Sequence, residues 1–177
     1  VAVTGVQTCA LPIWLRNIPF HERASIIQAT NGQGYTVPCL IDGKQGICDE
    51  TDFGQEVARH IDRRYNLKLF PKEFDGIQLI LSRYIEDDLE SVGFKVSDTY
   101  VIPSRPLVER VMMLRHKERK FGKGCVREWT GRRKHLSAQF NELLSPFDNM
   151  LAASPYLLAD RPLFADYNLY EIGRAHV

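Results

Sequence analysis

The sequence predicts an α/β segment followed by an all-helical one, two domains joined near Leu69-Phe70-Pro71. Three observations predict it. A β-rich run with a strong turn occupies residues 35–50, the apolar residues after it repeat at helical spacing, and every convincing segment beyond Pro71 is helical.

Taken in order, His21 to Ala29 reads as a short helix ended by the Asn31-Gly32-Gln33-Gly34 loop. Tyr35-Thr36-Val37-Pro38-Cys39-Leu40-Ile41 is a strand, Asp42-Gly43-Lys44 the turn, and Gln45-Gly46-Ile47-Cys48 the return. Phe53, Val57, Ile61 and Tyr65 then mark one face of a helix with an acidic start and an Arg63-Arg64 end. Ile77, Leu79, Ile80, Leu81 and Tyr84 lead a long helix, and a second begins near Pro106. A third spans roughly Gly124 to Ala153, with Trp129, Leu136, Phe140 and Phe147 on its apolar side.

The two ends of the chain encode each other. Thr8 to Ile13 can be written ACG TGT GCT CTT CCG ATC, and the Trp14 codon adds a T. The reverse complement, read one frame over, gives Glu171-Ile172-Gly173-Arg174-Ala175-His176-Val177. The string is similar to a sequencing adapter. Residues 1–13 and 171–177 are therefore expected to be adapter-derived, leaving 14–68 as the first domain and 72–170 as the second. A helix that starts near Leu163 is expected to be interrupted at Glu171, since Gly173 is a poor helix former.

An apolar fraction of 44% with 25% charged residues is that of a globular chain, which argues against disorder. No apolar run approaches the roughly 20 residues that cross a membrane. A net charge of +1 gives no general attraction to nucleic acid. Nine Lys or Arg fall within residues 115–134, but Glu118 and Glu128 interrupt them, as on a solvated helix face. With Cys9 set aside as adapter, Cys39, Cys48 and Cys125 are an odd number with no CxxC pair. That suits reduced thiols in a cytoplasm and neither a disulfide framework nor a zinc site. Cys39 and Cys48 read as small buried residues and Cys125 as a solvent-facing bystander among Lys120, Lys123 and Arg127. The histidines have no metal-ligand spacing.

The run Tyr35-Thr36-Val37-Pro38-Cys39-Leu40-Ile41-Asp42-Gly43 resembles the centre of the thioredoxin-like domain of glutathione S-transferases. Ser154 to Tyr167 resembles the entry to the buried helix of that family's C-terminal domain, with Asp166 at the position of its capping aspartate and Leu163 where the family has Ser or Thr. The resemblance covers essentially all of 15–170. It implies a partial thioredoxin-like N-terminal domain followed by a helical glutathione S-transferase C-terminal domain. It also implies that the Val37–Pro38 bond is cis and that the Val37 backbone pairs with the cysteinyl part of glutathione. The γ-glutamyl carboxylate would lie at Glu50-Thr51 before the next helix, with Asp52 as the rival acid.

The activity the resemblance implies is transfer of the glutathione thiolate to an electrophilic small molecule. The implied parent is a cytoplasmic homodimer with glutathione as substrate, no metal, and no nucleic-acid or membrane partner. The family's thiol-activating Tyr, Ser or Cys lies before the second strand, in the stretch read here as adapter, so no residue of this chain is assigned that role. The alternative is the same fold used without catalysis, as a binding or interaction module.

Overall fold

The computed structural model describes residues 13–19, 22–32, 34–49 and 55–175, with side chains as far as Ile172. The chain is mostly helical with one small antiparallel sheet. It divides into two compact units, Val1–Ile80 and Leu81–Val177, so the division falls inside a helix, Asp75–Arg83.

In the first unit, helix α1 (Ala24–Ala29) starts later than its sequence suggests; His21 lies outside the described residues. Strands β1 (Cys39–Asp42) and β2 (Gln45–Cys48) pair Cys39 with Cys48, Leu40 with Ile47, Ile41 with Gly46 and Asp42 with Gln45. The connection is therefore Gly43-Lys44, and Gly43 supplies the positive φ (62°) that such a tight turn asks of its first central residue. Gly46 is required for a different reason: a Cβ there would collide with the Ala29 carbonyl oxygen, so only glycine lets β2 pass the end of α1.

Helix α2 (Glu56–Tyr65) buries Ile61 and ends on Asn66 in the left-handed conformation, φ 51°. Asp62 accepts from the Leu69 N–H at 2.8 Å, and the buried Gln78 of α3 (Asp75–Arg83) donates to the Leu69 carbonyl at 3.0 Å. These two bonds satisfy the backbone of the segment that links α2 to α3.

In the second unit, the end of α3 continues as a π-helical stretch, Tyr84–Glu90, and then as α4 (Ser91–Ser104). The remaining helices are α5 (Leu107–Phe121), α6 (Cys125–Gly131), α7 (Arg133–Ala153) and α8 (Phe164–Ala175). The third helix expected from the sequence is thus two, parted at Arg132 just after Gly131, a poor helix former. Two clusters form the core. Ile85, Leu89, Phe147, Leu157, Ala165 and Ile172 make one; Val92, Ile102, Cys125, Val126, Trp129 and Leu136 the other, with Phe140 and Leu143 touching both. Pro146 inside α7 has no N–H for the Glu142 carbonyl, and the Ser145 hydroxyl donates to it instead, at 2.8 Å.

The expected interruption at Glu171 does not occur: α8 runs through to Ala175. Ile172 lies seven residues beyond Ala165, on the same helical stripe, and that register buries it in the core. The apolar contact outweighs the helix preference lost at Gly173, about 1 kcal/mol.

Candidate functional site

The Val37–Pro38 peptide bond is cis, as the resemblance implies. The ladder begins one residue later, at Cys39, so Pro38 removes no donor from it. Val37 stands ahead of the pairing and is 52% exposed, with Tyr35 also exposed. Backbone at this point is chemically suited to pair with another extended segment, because a strand entry outside its ladder still carries an N–H and a carbonyl. The Cys48 thiol reaches back across the hairpin toward the Thr36 carbonyl, 3.9 Å away.

Glu50, Thr51 and Asp52, together with Phe53, lie outside the described residues. A residue that the sequence did not single out stands beside them. Asp49 Oδ1 accepts from the Val57 N–H at 2.9 Å, in the first turn of α2, where Gln55 at the cap makes no capping bond of its own. Eight positions separate donor and acceptor, so no local spacing in the sequence signals the cap. Burial pushes the Asp49 carboxyl up to about 6; the Val57 N–H opposes the rise and the neighbouring Glu56 carboxylate adds to it.

The tip of the hairpin is tied to α2 by charge. Asp42 Oδ2 lies 2.8 Å from His60 Nε2 and 3.8 Å from Arg64 Nε. Thr30, Asn31, Asp42, Lys44, Gln45 and Gly46 line an open cleft of about 430 Å³ beside it. Further along the unit, Arg59 spans from Gln55 to Asp75, at 2.8 and 2.7 Å, and its guanidinium covers the Phe70 ring. The sequence had offered His60 no role; here it braces the hairpin that carries Val37.

In the second unit Asp166 performs the capping inferred for it. One oxygen accepts from the Leu163 N–H (2.9 Å) at the start of α8; the other accepts from the Leu157 N–H (2.8 Å). Leu163 has no hydroxyl to return, and its carbonyl takes the Asp166 N–H instead, at 3.1 Å. The leucine side chain is fully buried, which explains an apolar residue where the family has Ser or Thr.

One expectation about the basic run needs correction. Cys125 is no solvent-facing bystander: it is packed with Val126 and Trp129, and burial raises its thiol above the usual range. Arg115, Arg119, Lys120, Lys123, Arg127, Arg132 and Lys134 are exposed, as expected of a solvated face, and Lys117 is an exception. It forms a 2.8 Å ion pair with the buried Asp98 and lies 4.2 Å over the Phe94 ring. Phe94, Phe121 and Trp129 pack against one another with centroids 5.4–5.8 Å apart; of the two aromatics interleaved with the basic residues, Trp129 is buried and Phe121 stays partly open to solvent.

No family model, curated protein or solved structure matches the chain. Among the described residues no group of His, Cys, Asp and Glu could hold a metal ion, and no helix is long and apolar enough to cross a membrane.

Proposed function

We propose that this chain is part of a glutathione S-transferase-like protein that binds glutathione at the entry to β1 and transfers its thiolate to an electrophilic small molecule. The finer fold is a partial thioredoxin-like domain in the first unit and a transferase-type helical domain in the second. The observation that carries the reading is the backbone of Val37, exposed and ahead of the ladder, with Pro38 behind it. Asp166 at the start of α8 supports it independently, from the other unit. Val37 and Pro38 would receive the cysteinyl part of the tripeptide. Glu50 and Thr51, with Asp52 as the rival acid, would receive the γ-glutamyl end.

The chemistry asked of the parent is stabilisation of a thiolate, which lowers the thiol pKa and makes the sulfur nucleophilic at neutral pH. No residue of this chain is assigned to that step, so the direct test is binding. Calorimetric titration with glutathione is expected to saturate with a Kd on the order of 1 mM. The dipeptide Cys-Gly, which lacks the γ-glutamyl group, is expected to bind more weakly. Equal affinity for the two would remove Glu50, Thr51 and Asp52 from the proposal, and no saturable heat from either would overturn it. In a longer version of the protein, turnover of an aromatic electrophile with glutathione marks the transferase; binding without turnover marks a module of the same fold.

A further inference from the structure

Cys39 and Cys48, nine positions apart and unremarkable in sequence, are direct partners across the hairpin. Cross-strand partners project from the same face of an antiparallel pair. The type of pair can be read from the turn. A two-residue connection makes Asp42 and Gln45 the closing hydrogen-bonded pair, and the two kinds of pair then alternate. Ile41–Gly46 is non-hydrogen-bonded, Leu40–Ile47 is hydrogen-bonded, and Cys39–Cys48 is again non-hydrogen-bonded. In that kind of pair the Cα atoms stand about 4.5 Å apart and the side chains are closest. Disulfides span Cα separations of about 4.4–6.8 Å, so the bridge fits without moving the strands. Neither cysteine is in a disulfide, both are of intermediate burial, and Cys48 Sγ already leans across toward the β1 side, near the Thr36 carbonyl.

We propose that Cys39 and Cys48 form a reversible dithiol–disulfide pair, oxidised by small-molecule disulfides. One thiolate attacks a sulfur of the small disulfide, forming a mixed disulfide and releasing one small thiolate. The second protein thiolate attacks the protein sulfur of that mixed disulfide and releases the other. The protein pair loses two protons and two electrons, and the small disulfide becomes two thiols. The bond closes the open end of the hairpin two residues from Val37 and fixes the spacing of β1 and β2 there. The inference rests on strand register alone and does not depend on the glutathione reading.

Hydroxyethyl disulfide tests it, since that reagent shares no recognition group with glutathione. The folded chain is incubated with the reagent at neutral pH, quenched with acid, digested with trypsin and read by mass spectrometry. Cleavage after Lys44 separates the two cysteines, so the intramolecular bond appears as peptide 24–44 joined to peptide 45–59. The expected result is that joined species as the main oxidised product, lost on Cys39→Ser, where Cys48 stops at the mixed disulfide. It is also expected to revert fully with dithiothreitol. Mixed disulfides that persist at both sites, or cross-links spread over Cys9 and Cys125, would overturn the proposal.

Discussion

Asp49 and Asp166 each hold the start of a helix, and they do it under different terms. Asp166 accepts two backbone N–H groups, from Leu157 and Leu163, and fastens a loop and a helix end to a core that includes Leu157, Ala165 and Ile172. Asp49 accepts from the Val57 N–H and also from the Glu56 N–H, but with the Glu56 carboxylate beside it and its own carboxyl raised by burial to about 6. A carboxylate whose two oxygens hold a loop N–H and a helix-start N–H is an anchor. One whose donors are opposed by burial and an acidic neighbour is a group whose charge state the surroundings contest. The same side chain in the same role therefore fastens a loop to a helix start in one unit and makes the other unit sensitive to pH.

The largest expected effect is at the anchor. Asp166→Ala removes both acceptors and leaves the Leu157 and Leu163 N–H groups without partners, at a cost of about 3 kcal/mol. Urea unfolding followed by the fluorescence of Trp129, which is buried in the second unit, measures it. Asp166→Asn keeps one acceptor oxygen, without the charge, and is expected to recover part of the loss. A cost below about 0.5 kcal/mol for the alanine variant would remove the distinction between the two aspartates.

Leu163→Ser comes next. The serine restores the hydroxyl of a complete capping box, a gain of about 1 kcal/mol, but empties a fully buried site, a loss of about 3 kcal/mol. Burial wins, and the variant is expected to be less stable by about 2 kcal/mol. A stabilised variant would mean that capping, not packing, governs the entry to α8.

The smallest effect is at Asp49, and its sign is opposite to that of most carboxylates. Its folded pKa is raised from 3.8 to about 6, so the folded state binds the extra proton between those values. The contribution is fully present below about pH 4 and is lost as pH rises through about 6. Asp49 is partly exposed, and solvent screening limits the effect to the order of 1 kcal/mol. Asp49→Asn, which accepts from Val57 without a charge, is expected to remove that slope and to stabilise the first unit slightly at pH 7. Hydrogen exchange at the α2 amides between pH 4.5 and 7.5 checks it. A slope of the opposite sign would show that the Val57 bond outweighs burial.

Features with a local signature were legible in the sequence. The turn Asp42-Gly43-Lys44 fixes its own register, Val37-Pro38 stands at a strand entry, and Asp166 sits three residues into its helix. What was hidden depends on partners distant in sequence. Asp49 finds Val57 across a loop, and Lys117 finds Asp98 on another helix. Ile172 continues α8 because of the core it meets, not because of its neighbours in the chain. The π-helical stretch Tyr84–Glu90 keeps the same kinds of residue as an α-helix, so its composition does not announce it. At the candidate site, the strand entry could be read from sequence, while the charge state of the adjoining helix start could not.

The central claim is that the Val37 backbone receives a peptide-like ligand, and amide NMR of the chain titrated with glutathione tests it most directly. The account predicts that the Val37 and Cys39 amides shift progressively and saturate together, followed by those at the start of α2, while the α8 amides held by Asp166 stay still. Shifts confined to other residues, or a Val37 amide unmoved at glutathione concentrations well above about 10 mM, would contradict it.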